Sequence, residues 1–317
     1  MDSLLKKRYD DLNRTALKMG DAFEGVGVAQ KFAIPEGFKE FNETIGLPIH
    51  PGTGEETEVF DYQVDYFDAW QKHHKLILNK SRKIGATETA LRIIAYNCLR
   101  GNYSGHRVMI VAGNKQEVAN RFIQRFKSLF FRGFTDQDGR EFKYEDIVLE
   151  ETSKSCTVNN TYIQAYPAGE AVRGEENVKC VFMSECAFIN LIDDSKVYNA
   201  LHPNVANIAD ADFVMESTPN GKRGFFWTNW DANSEYHKLE QDYTVSIGKL
   251  LDTEFIEKEK KNPRIDFDQE YGARLTTSLS AAFKDDEIMF EDTPINMYEA
   301  LGRGVMYVSD VVTVETS

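Results

Sequence analysis

Apolar and polar positions change period several times along the chain. Residues 2–19 set Leu4, Leu5, Leu12, Ala16 and Leu17 at helical spacings with charges between them, which predicts a surface or docking helix. From Gly25 to Asp65 the period is lost and Gly, Pro and Glu gather, as in GLPIHPGTGEETE, so an irregular linker or lid is expected there. From about Tyr62 onward short apolar runs alternate with helical stretches. Leu76–Leu78 is followed by the polar turn NKSRKIGAT and the helical ETALRIIAYNCLR. Arg107–Ala112 reads as a buried strand, then GNKQ, then a helix EVANRFIQRFKSLFF with Val118, Phe122, Phe126 and Leu129 on one stripe. Thr157–Tyr166 predicts a hairpin about Asn159-Asn160, and Val178–Met183 and Asp212–Glu216 two further buried strands. Strand-turn-helix alternation of this kind predicts a mostly parallel sheet with helices on both faces. Ligands of such sheets bind at the carboxyl ends of the strands, here just after Leu78, Met183 and Glu216.

Composition narrows the class. The chain has 317 residues, 42% hydrophobic and 28% charged with 8 prolines, which is neither a disordered nor a fibrous composition. It has no apolar run of about 18 residues to span a membrane, and MDSLLKKRYDDLNRT lacks the apolar stretch of a signal peptide, so a cytoplasmic protein is expected. Cys98, Cys156, Cys180 and Cys186 show no paired metal-ligand spacing and read as reduced core thiols. The formal charge of −14 argues against a nucleic-acid partner until it is divided by region. Residues 71–135 carry 13 basic side chains against Glu88 and Glu117, a net of +11, which leaves −25 for the rest. A block that basic in an acidic chain faces an anion or is simply solvated.

Three loops carry candidate chemistry. Lys80-Ser81-Arg82-Lys83-Ile84-Gly85-Ala86-Thr87, running into Glu88 and a helix, has the frame of the phosphate loop G-x-x-x-x-G-K-S/T. Lys80 replaces its first glycine and Ala86 its lysine, while Gly85 and Thr87 match. Backbone N–H groups and the helix N-terminus suit a phosphate chain, and Thr87 offers a hydroxyl to Mg²⁺. After VKCVFM comes Ser184-Glu185-Cys186-Ala187-Phe188, with Glu185 as candidate general base and Ser184 in the place of an aspartate, reaching a metal only through water. The third loop, Ser217-Thr218-Pro219-Asn220-Gly221, is a tight turn whose hydroxyls suit a γ-phosphate or a water.

Taken in order, SRKIGAT, AVRGEENVKCVFMSECAFI and FVMESTPNGKRGFFWTNW resemble the large terminase subunit of tailed double-stranded DNA viruses. KSRKIGATE is similar to the subset of that family whose essential lysine stands at the first loop position, here Lys80. Arg173-Gly174, Ser184–Phe188 and the coupling motif Ser217–Gly221 match further family elements. Asp68-Ala69-Trp70-Gln71 is similar to the segment whose glutamine contacts adenine, and Phe267–Tyr271 with Ala281–Phe283 to the stretch closing the motor domain.

The resemblance implies a P-loop NTPase of the RecA/ASCE type over residues 61–284, preceded by a helical and irregular extension over 1–60. It implies ATP and Mg²⁺ as cofactors and ATP hydrolysis coupled to double-stranded DNA translocation. Lys80 and residues 81–86 would cradle the phosphates, Thr87 and the Ser184-Glu185 pair would serve the metal, and Gln71 the base. Glu185 would activate water, Arg82 or Arg173 would stabilise transferring charge, and Ser217–Gly221 would report loss of the γ-phosphate. Implied partners are portal protein, a small terminase subunit and further copies in a ring on the procapsid, in the host cytoplasm and away from membranes. The family's second domain is an RNase H-like nuclease. Asp310, after Val305–Val308, fits its first acidic residue, but no partner carboxylates follow, so residues 285–317 are expected to be a linker or an incomplete beginning without nuclease activity. The alternatives are a helicase-like translocase and, given Ala86 and Ser184, a non-hydrolysing P-loop scaffold.

Overall fold

In the computed structural model, residues 32–169, 172–189 and 194–276 are described. They all fall in one unit, Met1–Ser278. The helix expected over 2–19, the Ala281–Phe283 segment and the 285–317 segment with Asp310 lie outside the described residues.

Predominantly apolar runs form strands buried on both faces, with polar residues such as Asn79, Lys80 and Glu216 buried among them, and the centre of the sheet is made of these. They are β1 (Lys75–Lys80), β2 (Arg107–Ala112), β8 (Val178–Ser184) and β9 (Asp212–Ser217). Strands β3 (Phe134–Thr135) and β4 (Glu141–Phe142) pair as a separate ribbon. The remaining strands are β5 (Val148–Leu149), β6 (Ser155–Val158), β7 (Thr161–Tyr166) and β10 (His237–Gln241). The eight-stranded sheet runs β10-β1-β9-β8-β2-β7-β6-β5, parallel from β10 to β7 and antiparallel from β7 to β5. The β6–β7 hairpin turns at Asn159 and Asn160, both at positive φ, as the Asn-Asn pair predicts. The expected mostly parallel α/β architecture is what forms.

Helices α1 (Phe38–Ile45), α2 (Asp61–His73), α3 (Ala86–Arg100) and α4 (Gln116–Ser128) share the larger of two core clusters. Helices α6 (Ser195–Val205) and α7 (Gly224–Asp231) cover the other face, after the short α5 (Tyr144–Ile147). The chain then adds α8 (Thr253–Lys260) and α9 (Phe267–Glu270). In α4 the expected stripe holds at Phe126 and Leu129, just past the helix, which are buried, but in its first half Ala119 and Ile123 take the buried places while Val118 and Phe122 are only half-buried. Ala119 is small enough to lie directly against the sheet, which the bulkier Val118 obscured in the pattern. All four cysteines are free and buried, and burial holds the Cys156 thiol at about 12.

The stretch read as an irregular linker is more ordered than its composition suggested. It contains α1, and Phe32, Ile34, Phe38, Phe41, Ile45 and Val59 join the same core as α2 and α3. Phe38 stacks on Phe67, and Phe41 meets the Tyr96 ring edge-on at 5.2 Å. Arg92, almost buried on α3, donates to Asn42 Oδ1 and to the Gly46 carbonyl, both at 2.7 Å. Among the described residues, the arm supplies both acceptors of that guanidinium nitrogen. Phe41→Ala is therefore expected to lower the stability of the whole domain by about 3–5 kcal/mol in a single urea transition. A loss under about 1 kcal/mol, or a separate early transition, would contradict a shared core.

Candidate functional site

β9 is inserted between β1 and β8, so three strand ends and their loops stand side by side. The register sets Asn79 opposite Ser217 and Ser184 opposite Glu216. The loop after β1 then runs to α3 through Lys83 at φ 61° and Gly85 at φ 77°. A Cβ on Gly85 would also stand 3.0 Å from Leu250 and 3.1 Å from Gln63, so glycine is required there on two counts. The loop is tied from outside by Ser81 N–H donating to the Gln241 carbonyl at 2.8 Å and Arg82 N–H to the Glu270 carbonyl at 2.9 Å.

Lys80, the last residue of β1, is 5% exposed. Its Nζ donates to Glu185 Oε1 at 2.5 Å and to Thr218 Oγ1 at 3.4 Å, joining all three loops through one ammonium. Glu185 sits in the left-handed region at φ 51°, a conformation that costs a non-glycine residue about 1–3 kcal/mol. Its other oxygen accepts from Thr218 N–H at 3.4 Å. The third loop clasps the turn after Glu185: Ser217 Oγ accepts from Ala187 N–H at 3.1 Å, and Asn220 Nδ2 donates to the Ala187 carbonyl at 2.9 Å. Movement at Glu185 therefore reaches Ser217–Asn220 directly.

Behind Lys80 lies Glu216, fully buried, with its carboxyl pKa raised by burial against the opposing pull of Lys80. Its Oε1 accepts from Thr87 Oγ1 at 2.6 Å and from Ser184 Oγ at 2.9 Å. Among the described residues no hydrogen bond reaches its Oε2.

Residues 80–88 with Arg125 and Glu185 line a cavity of about 520 Å³. It shares Lys83, Gly85, Glu88 and Arg125 with a second cavity of about 1060 Å³, making one continuous cleft that leads to Phe60, Gln63 and Leu250. Such a cleft, narrow and polar over a helix N-terminus and wider beyond, fits a phosphate chain attached to a bulkier planar group. No cluster of three or more metal-ligating side chains occurs among the described residues.

The predicted residues are gathered unequally. Lys80, Ser81, Arg82, Lys83, Ile84, Gly85, Ala86, Thr87, Glu88 and Glu185 all line the phosphate-sized cavity. Ser184 is directly behind it, and Ser217 to Gly221 adjoin it through Thr218. Within the loop the cations differ: Arg82 is ion-paired with Glu270 at 3.0 Å, Lys83 lies over the Phe255 ring at 4.3 Å, and only Lys80 sits at the centre. Gln71 and Arg173 line neither cavity, and Arg173 is exposed. The glutamine that does border the cleft is Gln63, whose Oε1 accepts Phe60 N–H at 3.0 Å and whose Nε2 stands beside Gly85. Gln63 and Glu216 escaped the sequence reading. The signal for Glu216 was present, an acid closing a run otherwise buried at every position. The basic block is also quieter than its net charge implied. Lys75, Lys80, Arg82, Arg92, Arg100, Arg107, Arg125, Lys127 and Arg132 each pair with an acid, mostly from outside the block.

No protein-family model matches the chain, and no curated protein matches it in sequence. Solved structures do match. The large terminase of bacteriophage HK97 aligns over 75% of this chain and 55% of its own, at 12% identity and a TM-score of 0.56. The large terminase of a thermophilic bacteriophage in complex with ADP aligns over 75% and 59%, at 14% identity and a TM-score of 0.52. An arginine-to-alanine mutant of the Thermus phage P74-26 large terminase ATPase domain aligns over 74% and 98%, at 15% identity and a TM-score of 0.50. The chain thus matches nearly all of an isolated ATPase domain but under two thirds of the longer terminase chains. The chain has the fold of the ATPase domain of phage large terminases.

Proposed function

We propose that this chain is the ATP-hydrolysing motor of a viral DNA-packaging terminase. The observation that carries the reading is the convergence of the phosphate loop, Glu185 and the Ser217–Gly221 turn on the buried Lys80 ammonium, in a fold whose solved examples include one with ADP. The motor domain is taken as residues 61–284, with the arm from Phe32 packed into it and 285–317 as linker or the start of a nuclease.

ATP would lie with its phosphates over residues 80–87 and its base toward Phe60 and Gln63, whose Nε2 donors suit a ring-nitrogen acceptor. The oxygen groups of Thr87, Ser184 and Glu185 suit a hard divalent cation, and the unpartnered Oε2 of Glu216 beside them is the observation that fits one. Magnesium, when bound, would neutralise charge on the β- and γ-phosphates. Phosphate oxygens compete with Glu185 for Lys80. That exchange frees the carboxylate to take a proton from water as the water oxygen bonds the γ-phosphorus and the bond to the β-phosphate oxygen breaks. Arg82 lies in the loop to stabilise the transferring charge, whereas Arg173, exposed and lining neither cavity, would do so on a neighbouring subunit of a ring. Loss of phosphate returns Lys80 to Glu185 and Thr218, and the hydrogen bonds from Ala187 pass the change to the turn at Asn220. Double-stranded DNA, portal protein and a small terminase subunit are the proposed partners, in the host cytoplasm and on the procapsid. No helix among the described residues is long and apolar enough to cross a membrane.

Glu185→Gln is expected to reduce ATP turnover about 10²–10⁴-fold while ATP still binds. Full turnover in that variant would remove Glu185 as the base. DNA should stimulate the wild-type ATPase, with the stimulation fading as salt rises from about 50 to 200 mM, and Lys80→Ala should abolish it. Binding without any turnover in the wild type would instead mark a scaffold. Gln63→Ala should narrow the preference for ATP over GTP about tenfold, read from competitive displacement of a labelled nucleotide; an unchanged ratio places the base elsewhere.

A further inference from the structure

A glutamate is a costly residue in the middle of a parallel sheet. Glu216 has strand partners on both sides and no exposed surface, and half of its carboxylate lacks a hydrogen bond. Buried carboxylates persist where something charged or strongly polar meets them. Here Lys80 is one such group, and it already contacts Glu185 and Thr218. The other contacts are hydroxyls: Thr87 from the first turn of α3 and Ser184 from the facing position of β8, both donating to Oε1.

That arrangement explains the sequence oddity at the end of β8. An acidic pair is expected there, yet the first position is Ser184. The carboxylate is present all the same, one strand over and directly opposite. Adjacent strands lie about 4.8 Å apart, and the Glu216 carboxylate, on a side chain one methylene longer than an aspartate's, takes both the Ser184 and the Thr87 hydroxyls at its Oε1.

We propose that Glu216 is the metal-side carboxylate of the nucleotide site, standing in for an acid at position 184 and holding the Thr87 hydroxyl toward a divalent cation carried by the phosphates. The proposal rests on the ATP-site reading above. Glu216 is a positioning residue, since it lies behind Thr87 and reaches the cleft through it. Ser184 is then the donor that holds the same carboxylate oxygen from the facing strand.

The test is fluorescent ADP binding to the full chain, without metal and across a magnesium titration. In the wild type, magnesium should tighten binding. Glu216→Gln should shift the magnesium midpoint upward about 10–100-fold and leave metal-free ADP affinity within about twofold. Adding Ser184→Asp to Glu216→Gln should return the midpoint toward wild type, because the carboxylate is restored from β8. Glu216→Asp, which keeps the charge and shortens the arm, should give an intermediate midpoint and covers the case in which the glutamine variant does not fold. An unshifted midpoint in Glu216→Gln, or an equal loss of metal-free binding not rescued by Ser184→Asp, overturns the assignment while leaving the ATP site in place. Failure of the wild type to bind ADP at all would overturn the site itself.

Discussion

A lysine charge held inside the sheet is the constraint on which this molecule turns. Lys80 closes a strand buried on both faces, and an ammonium there is tolerated only if opposite charge and hydrogen-bond acceptors are brought to it. Glu185 arrives from β8 at 2.5 Å and Thr218 from the end of β9, with Glu216 behind them. Those groups can converge only because β9 lies between β1 and β8, so strand order and charge compensation are two descriptions of one arrangement. The strained backbone of Glu185 is a further expense of the same convergence.

The sequence made the elements legible where period and burial agree. β2 was bounded to the residue, and β1, β8 and β9 within one or two positions, because each has an unbroken apolar centre that gives way to a polar loop. The loops were legible for a different reason: their small residues and hydroxyls stand at fixed offsets from the strand ends, and these leave a pattern. Strand order left no such trace. Nothing local to FVMESTPNG says that it sits between β1 and β8, and without that knowledge Glu216 is merely the last residue of a strand.

Other features were hidden by averaging. The arm from Phe32 to Val59 is rich in turn residues, yet Phe32, Ile34, Phe38, Phe41, Ile45 and Val59 each fill a place in the core; composition diluted that signal. Gln71 and Gln63 lie eight residues apart on α2, about two turns, so they share a helical side but not a height. Only Gln63, at the N-terminal end, is level with the phosphate loop. The +11 block likewise dissolves on folding, because acids distant in sequence meet most of its cations. Net charge by segment measures what a segment would attract when alone, and a folded domain has already supplied much of that partner.

Two departures from the expected pattern, Ala86 in the loop after β1 and Ser184 at the end of β8, look independent in the sequence and are linked in space. An ammonium carried by the strand end at position 80 enters the site from below the loop, on the side where β8 and β9 finish. It can then pair with Glu185 before any phosphate is present, and its charge offsets part of the cost of a fully buried carboxylate at 216. With the lysine in that place, an aspartate at 184 would put a third carboxylate beside Glu185 and Glu216 against a single ammonium, and like charges so close disfavour one another. A serine there supplies a donor to Glu216 instead. Moving the lysine and moving the acid are thus parts of one electrostatic solution, in which the number of carboxylates behind the phosphate loop stays matched to the cations available to hold them.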